Sequence, residues 1–157
     1  MNTPVKKILC PVDFSEHSER ALKTAVGLAK QNEAELVLLS VVQPLPTSFP
    51  TAGTIMSEVR PLPIMMTDAS KEHLEKMLKD HCGEILDKTT AHVTSGVPFV
   101  EIVRYAREIE ADLIVMGSHG RTGLEHLLIG SVAERVVRKA PCSVLVVRDG
   151  QHPFKMP

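Results

Sequence analysis

Two stretches of this chain carry apolar side chains almost without interruption: residues 34–42 (AELVLLSVV) and residues 112–117 (DLIVMG). A strand with one wet face alternates polar and apolar residues; a continuous apolar run needs cover on both faces. Parallel sheets supply that cover, because each crossover helix packs against one side. Residues 5–12 and 142–148 are shorter apolar runs rich in β-branched residues, and residues 91–95 are a fifth, weaker strand candidate. Between the strands, apolar residues recur at helical spacing: Ala21, Leu22, Ala25, Val26 and Ala29, then Leu74, Met77, Leu78 and Ile85, then Ile102, Val103 and Ala106. Ser15, with Ser18 three residues on, predicts the cap of the first helix, and Pro98 opens the third. The order β-α-β-loop-α-β-α-β-α-β predicts an α/β fold with one doubly wound, five-stranded parallel sheet, strand order 3-2-1-4-5, and helices on both faces.

The exception is residues 43–67, where Pro44, Pro46, Pro50, Pro61 and Pro63 break any period. This stretch is expected to be a long loop, a lid or a partner surface, followed by a helix over 68–89. Residues 1–149 are expected to form a single domain and residues 150–157 a C-terminal tail.

Composition excludes several functions. Aromatic residues are 3% of the chain, so no stacking platform for single-stranded nucleic acid is available. The net charge of −1 gives no general attraction to phosphate backbones, and no apolar run reaches the length of a membrane span. The expectation is a cytoplasmic protein without nucleic-acid or membrane partners. Cys10, Cys82 and Cys142 lack metal-site spacing and read as free thiols in a reducing compartment. The histidines show no metal spacing either, so no protein metal site is expected.

In a doubly wound sheet the ligand lies where strand order reverses, here beyond the tips of the first and fourth strands. Those tips are Pro11-Val12-Asp13 and Met116-Gly117-Ser118, and the second runs into GSHGRTGLEHLLIGSV. Glycines at 117, 120 and 123 permit close backbone approach to a pyrophosphate and a positive φ. Thr122 with Glu125 reads as one capping box, Gly130 as a terminator, and Ser131 with Glu134 as a second box opening a helix over 132–139. That helix start offers N–H groups and a partial positive charge to phosphate. Two readings stand at this point: the glycines serve only tight turns, or they cradle phosphate. Asp13 likewise reads either as a turn cap or as a ligand residue, and Arg121 as a phosphate partner or a surface cation. There is no Walker triplet, and no dinucleotide glycine pattern after the first strand.

Gly117-x-x-Gly120, nine residues, then Gly130-Ser131 resembles the G-2x-G-9x-G-S/T motif of ATP-binding universal stress proteins. The opening ILCPVDFSEHSERAL and the ending GSVAERVVRKAPCSVLVVR are similar to that family's first and last elements, with a departure at Ala133, where some ATP-binding members carry a polar residue. The resemblance implies a nucleotide site: Pro11, Val12 and Asp13 beside ribose and adenine, Val41 reading adenine through its backbone, and Met116 and Gly117 flanking the ribose. His119, Gly120, Gly130, Ser131 and Val132 would surround the phosphates, with ATP as ligand and Mg²⁺ accompanying it. It also implies a homodimer through the last strand, Ser143–Val147. The expected function is an ATP-binding regulatory module; a slow ATPase or phosphotransferase and a nucleotide-free dimeric scaffold are the alternatives. No catalytic residue is assigned, since Glu125 is the one acidic residue of the glycine segment and reads as a cap.

Overall fold

The computed structural model describes residues 4–44, 62–121 and 129–148, with side chains from residue 67 in the second stretch. Five strands, β1 (Lys7–Pro11), β2 (Glu35–Val42), β3 (Thr89–Ser95), β4 (Leu113–Gly117) and β5 (Ser143–Val147), form one sheet in the order β3-β2-β1-β4-β5. Every pairing is parallel, with Cys10 opposite Leu38 and Met116 opposite Val146 in register. The expected architecture and strand order are those observed.

The period-two geometry of the strands divides their side chains between two cores. Ile8, Cys10, Leu36, Leu38 and Val115 face helices α1 (Glu16–Asn32) and α2 (Leu62–His81). Leu9, Val37, Leu39, Ile114 and Met116 face α3 (Pro98–Glu108) and α4 (Ser131–Lys139). Ala21, Leu22, Ala25, Val26 and Ala29 form the buried apolar stripe of α1 against the sheet. Leu38, fully buried in the first core, is expected to lose about 2–5 kcal/mol of stability on replacement by alanine, read by denaturant unfolding.

Four local expectations need correction. Helix α2 begins at Leu62, inside the segment expected as loop over 43–67. Pro63 is its second residue, where a missing N–H costs nothing and the fixed φ suits the first turn. The rest of that segment, residues 45–61, lies outside the described residues. The helix expected over 68–89 stops at His81, and Gly83–Lys88 tightens into a 3₁₀ turn with Ile85 at φ −123°, ψ 21°. Strand β3 then starts at Thr89, not at residue 91, and the Thr89 hydroxyl donates to the Ile85 carbonyl at 2.7 Å. The fourth correction concerns α4: Gly130 is its N-cap and Ser131 its first residue, and no side-chain cap bond is made. The Ser131–Glu134 capping box does not form. The box expected from Thr122 and Glu125, Gly123, and the tail at 150–157 lie outside the described residues.

All three cysteines are free thiols. Burial pushes the Cys82 thiol up to about 11 and raises Cys10 further, with the neighbouring Cys82 as a smaller contribution. Both are held as neutral thiols near pH 7 and serve as small core residues. Among the described residues, no helix is long and apolar enough to cross a membrane.

Candidate functional site

The sheet brings the tips of β1, β2 and β4 together, because β1 is the central strand between the other two. Pro11 ends β1 opposite Leu39, and the Val12 N–H extends the ladder by donating to the Leu39 carbonyl at 2.9 Å. Val41 follows near the end of β2, half-buried, opposite Thr94 of β3. Met116 is buried in the α3–α4 core, and Gly117 closes β4.

The turn after β1 is built by hydrogen bonds within six residues, Asp13 to Ser18. Asp13 Oδ1 accepts from the Ser15 N–H at 3.0 Å and from the Ser15 hydroxyl at 2.5 Å. Ser15 caps α1 by accepting from the Ser18 N–H at 3.2 Å, and the Asp13 N–H donates to Ser18 Oγ at 3.3 Å. Between them Phe14 takes a φ of 65°, a left-handed conformation unusual for a bulky residue, with its ring 4.9 Å from that of His73 on α2. Asp13 therefore does cap its turn, but with one oxygen. The other, Oδ2, points across to the glycine segment, where a Cβ on Gly120 would lie 2.9 Å from it. Arg121 reaches back, its Nε donating to the Asp13 carbonyl at 2.8 Å.

The glycines have a reason the spacing alone does not reveal. A Cβ on Gly117 would lie 2.9 Å from the His17 carbonyl oxygen, and one on Gly130 would lie 3.0 Å from the Ser118 carbonyl oxygen and 3.3 Å from the His119 Cα. Gly130 donates its N–H to that same Ser118 carbonyl at 2.6 Å. Gly117 and Gly130 are thus required by close approach of the chain to itself. Among the described residues, Gly96 is the glycine with a positive φ, so at 117, 120 and 130 lack of bulk, not backbone hand, is what the fold uses.

The Gly130–Ser118 bond places the start of α4 against the tip of β4. The Glu134 N–H closes the first helical turn on the Gly130 carbonyl at 3.0 Å, so the N–H groups of Ser131, Val132 and Ala133 precede the ladder. Ser131 is exposed and its hydroxyl is not spent on a cap; Val132 packs against the core edge. Ala133 is buried at 3% exposure in the α3–α4 core, so at this position the methyl fills the sheet side of α4. His119 stands beside this junction, its Nδ1 3.0 Å from Ser118 Oγ. The structure therefore gathers Asp13, His119, Gly120, Arg121, Gly130 and Ser131 at the strand-order reversal, with Pro11, Val12, Met116 and Gly117 forming its floor and Val41 one strand away. Sequence reasoning passed over His17, whose backbone packs on Gly117; its place in the first turn of a capped helix beside Asp13 was the available signal.

Residues 4–148 match the model of the universal stress protein family. The chain belongs to that family. Universal stress protein MJ0531 of Methanocaldococcus jannaschii is 41% identical over 146 residues, covering 91% of this chain and 82% of the relative. The solved structure of MJ0577, from the same organism, superposes with a TM-score of 0.76 at 31% identity, covering 96% of this chain and all of the other. A universal stress protein of Archaeoglobus fulgidus in complex with dAMP shares the fold at a TM-score of 0.62 and 23% identity, covering 90% of this chain and 96% of the other.

Proposed function

We propose that this universal stress protein is a cytoplasmic regulatory module that binds ATP at the tips of β1, β2 and β4 and reports occupancy to a partner through a dimer built on β5. The observation that carries the reading is the junction of Gly130 with Ser118. It sets the unladdered N–H groups of α4 at the strand-order reversal, where a helix start favours phosphate. The dAMP carried by the Archaeoglobus relative supports an adenine nucleotide as the ligand class. In this reading Val41 offers backbone groups to adenine, while Asp13 Oδ2 and the Met116–Gly117 tip meet the ribose. His119, Gly120, Arg121, Ser131 and Val132 surround the phosphates. Mg²⁺ would be held by the phosphate oxygens, supplying charge neutralisation along the chain.

Titration of the purified protein with ATP, ADP, AMP and adenosine, with and without Mg²⁺, tests the reading. Affinity is expected to fall as phosphates are removed; equal affinity for all four would place the recognition elsewhere. Hydrolysis is expected to run far below about 1 s⁻¹, because Asp13, the carboxylate that faces the glycine segment among the described residues, already holds Ser15 with one oxygen and faces Gly120 with the other. Phosphate release at ordinary enzyme rates that co-purifies with the protein would overturn that expectation.

A further inference from the structure

Two imidazoles meet at the phosphate end of the proposed site, and that site accounts for only one of them. His17 lies in the first turn of α1, half-buried, with its backbone against Gly117. Its ring centroid is 5.5 Å from that of His119, the planes tilted by 49°. Among the described residues, His17 Nδ1 is the buried side-chain nitrogen that has no hydrogen-bond partner. A buried polar atom left unpaired is uncommon and calls for a reason.

The elements that meet near the pair carry charged groups of both signs. Asp13 engages Ser15 with Oδ1 and faces Gly120 with Oδ2. On α1, Glu16 and Arg20 approach each other at 3.6 Å. Arg121 donates to the Asp13 carbonyl, Glu134 of α4 pairs with Arg138 at 3.0 Å, and exposed Arg148 follows β5. Two imidazolium rings at this separation repel each other, and a neighbouring phosphate chain cancels that repulsion.

We propose that His17 and His119 form a proton-binding pair beside the phosphates, so that a polyphosphate nucleotide enters the site together with a proton; this rests on the nucleotide reading above. The sign follows from linkage. Phosphate charge favours the protonated rings, so their titration moves to higher pH in the complex, protons are taken up on binding, and affinity rises as pH falls. Imidazoles change charge between about pH 5 and 8, which makes acidification and nucleotide supply joint inputs to one site. The bulk solution supplies the proton and no bond is broken.

The test is calorimetric titration with ATP at pH 6 and pH 8, each in two buffers of different ionisation enthalpy, on the parent and on His17→Gln and His119→Gln. ATP takes up protons itself, so the difference between parent and variant is the quantity read. The parent is expected to bind about a quarter to half a proton more per nucleotide than either variant, and its affinity to change about three- to tenfold more between the two pH values. Equal proton uptake in parent and variants overturns the pair. Absence of binding heat in the parent at both pH values overturns the nucleotide reading itself, and the proposal with it. Imidazole Cε1–H resonances of the parent give a readout without substitution: of the seven histidines, two are expected to titrate at higher pH with ATP bound. No movement in any of them contradicts the proposal.

Discussion

Gly120→Val is expected to weaken ATP binding by at least about 100-fold, close to 3 kcal/mol, while the protein stays folded. The contact that a side chain at 120 would meet is Asp13 Oδ2, at 2.9 Å from its Cβ. That oxygen is the far end of a side chain, so the carboxylate yields where backbone would not. It yields at the cost of the ribose position, and the valine branches fill the space through which phosphate approaches the backbone. Gly130→Val is a different experiment. Its Cβ meets the Ser118 carbonyl and the His119 Cα, both backbone, so the β4–α4 junction itself must open. That variant is expected to lose about 1–3 kcal/mol of stability along with binding. Calorimetry paired with thermal unfolding separates the two. Gly120→Val binding ATP like the parent would remove the glycine segment from the site.

Val146→Pro is expected to convert a dimer into a monomer without breaking the sheet. Strand β5 is at the edge, with Leu145 38% exposed and its edge groups facing outward. The direction of those groups follows from one bond: the Ser118 N–H donates to the Val147 carbonyl at 3.0 Å. Residues 143, 145 and 147 therefore point their backbone groups toward β4, and residues 144 and 146 point theirs away. A proline at 146 removes an outward donor only, as edge strands tolerate. A proline at 145 would remove a donor from inside the β4–β5 ladder and destabilise the domain. Pairing of two β5 edges about a two-fold axis satisfies both and covers Leu145 and its neighbours. Light scattering at tens of micromolar is expected to give a dimer for the parent and a monomer for Val146→Pro. A monomeric parent would end the proposal, as would an unchanged dimer in the variant. Val146→Lys, which also places charge at the half-buried edge, is expected to act in the same direction.

The fold was legible because the signals were long-range and redundant. The runs through Leu36–Leu39 and Ile114–Met116 require cover on both faces, and alternation with helical segments leaves few topologies. What escaped reading was local competition between signals. Pro63 looked like a loop marker, yet in the first turn of α2 it is compatible with helix. Ser131 and Glu134 matched a capping box, but the Gly130 N–H bond to Ser118 sets the helix start one residue earlier. The candidate site was legible in its members and not in its wiring. Spacing picked out Gly117, Gly120 and Gly130, while the contacts with His17, Asp13 and Ser118 that explain them join residues far apart in the chain. His17 went unread for the same reason: its neighbour His119 comes from another strand tip, and no spacing rule links them.

The central claim is a place as much as a ligand. Beside the Asp13 turn lies a second candidate, a cavity of about 410 Å³ between α1 and α2 lined by Phe14, Glu19, His73, Met77 and His81 among others. A crystal structure of the protein grown with Mg²⁺ and ATP decides between them. The account predicts phosphate oxygens on the backbone N–H groups of Gly120, Ser131 and Val132, with adenine at Val41 and ribose at Asp13. Nucleotide seated in the α1–α2 cavity, or no nucleotide at millimolar ATP, would contradict it.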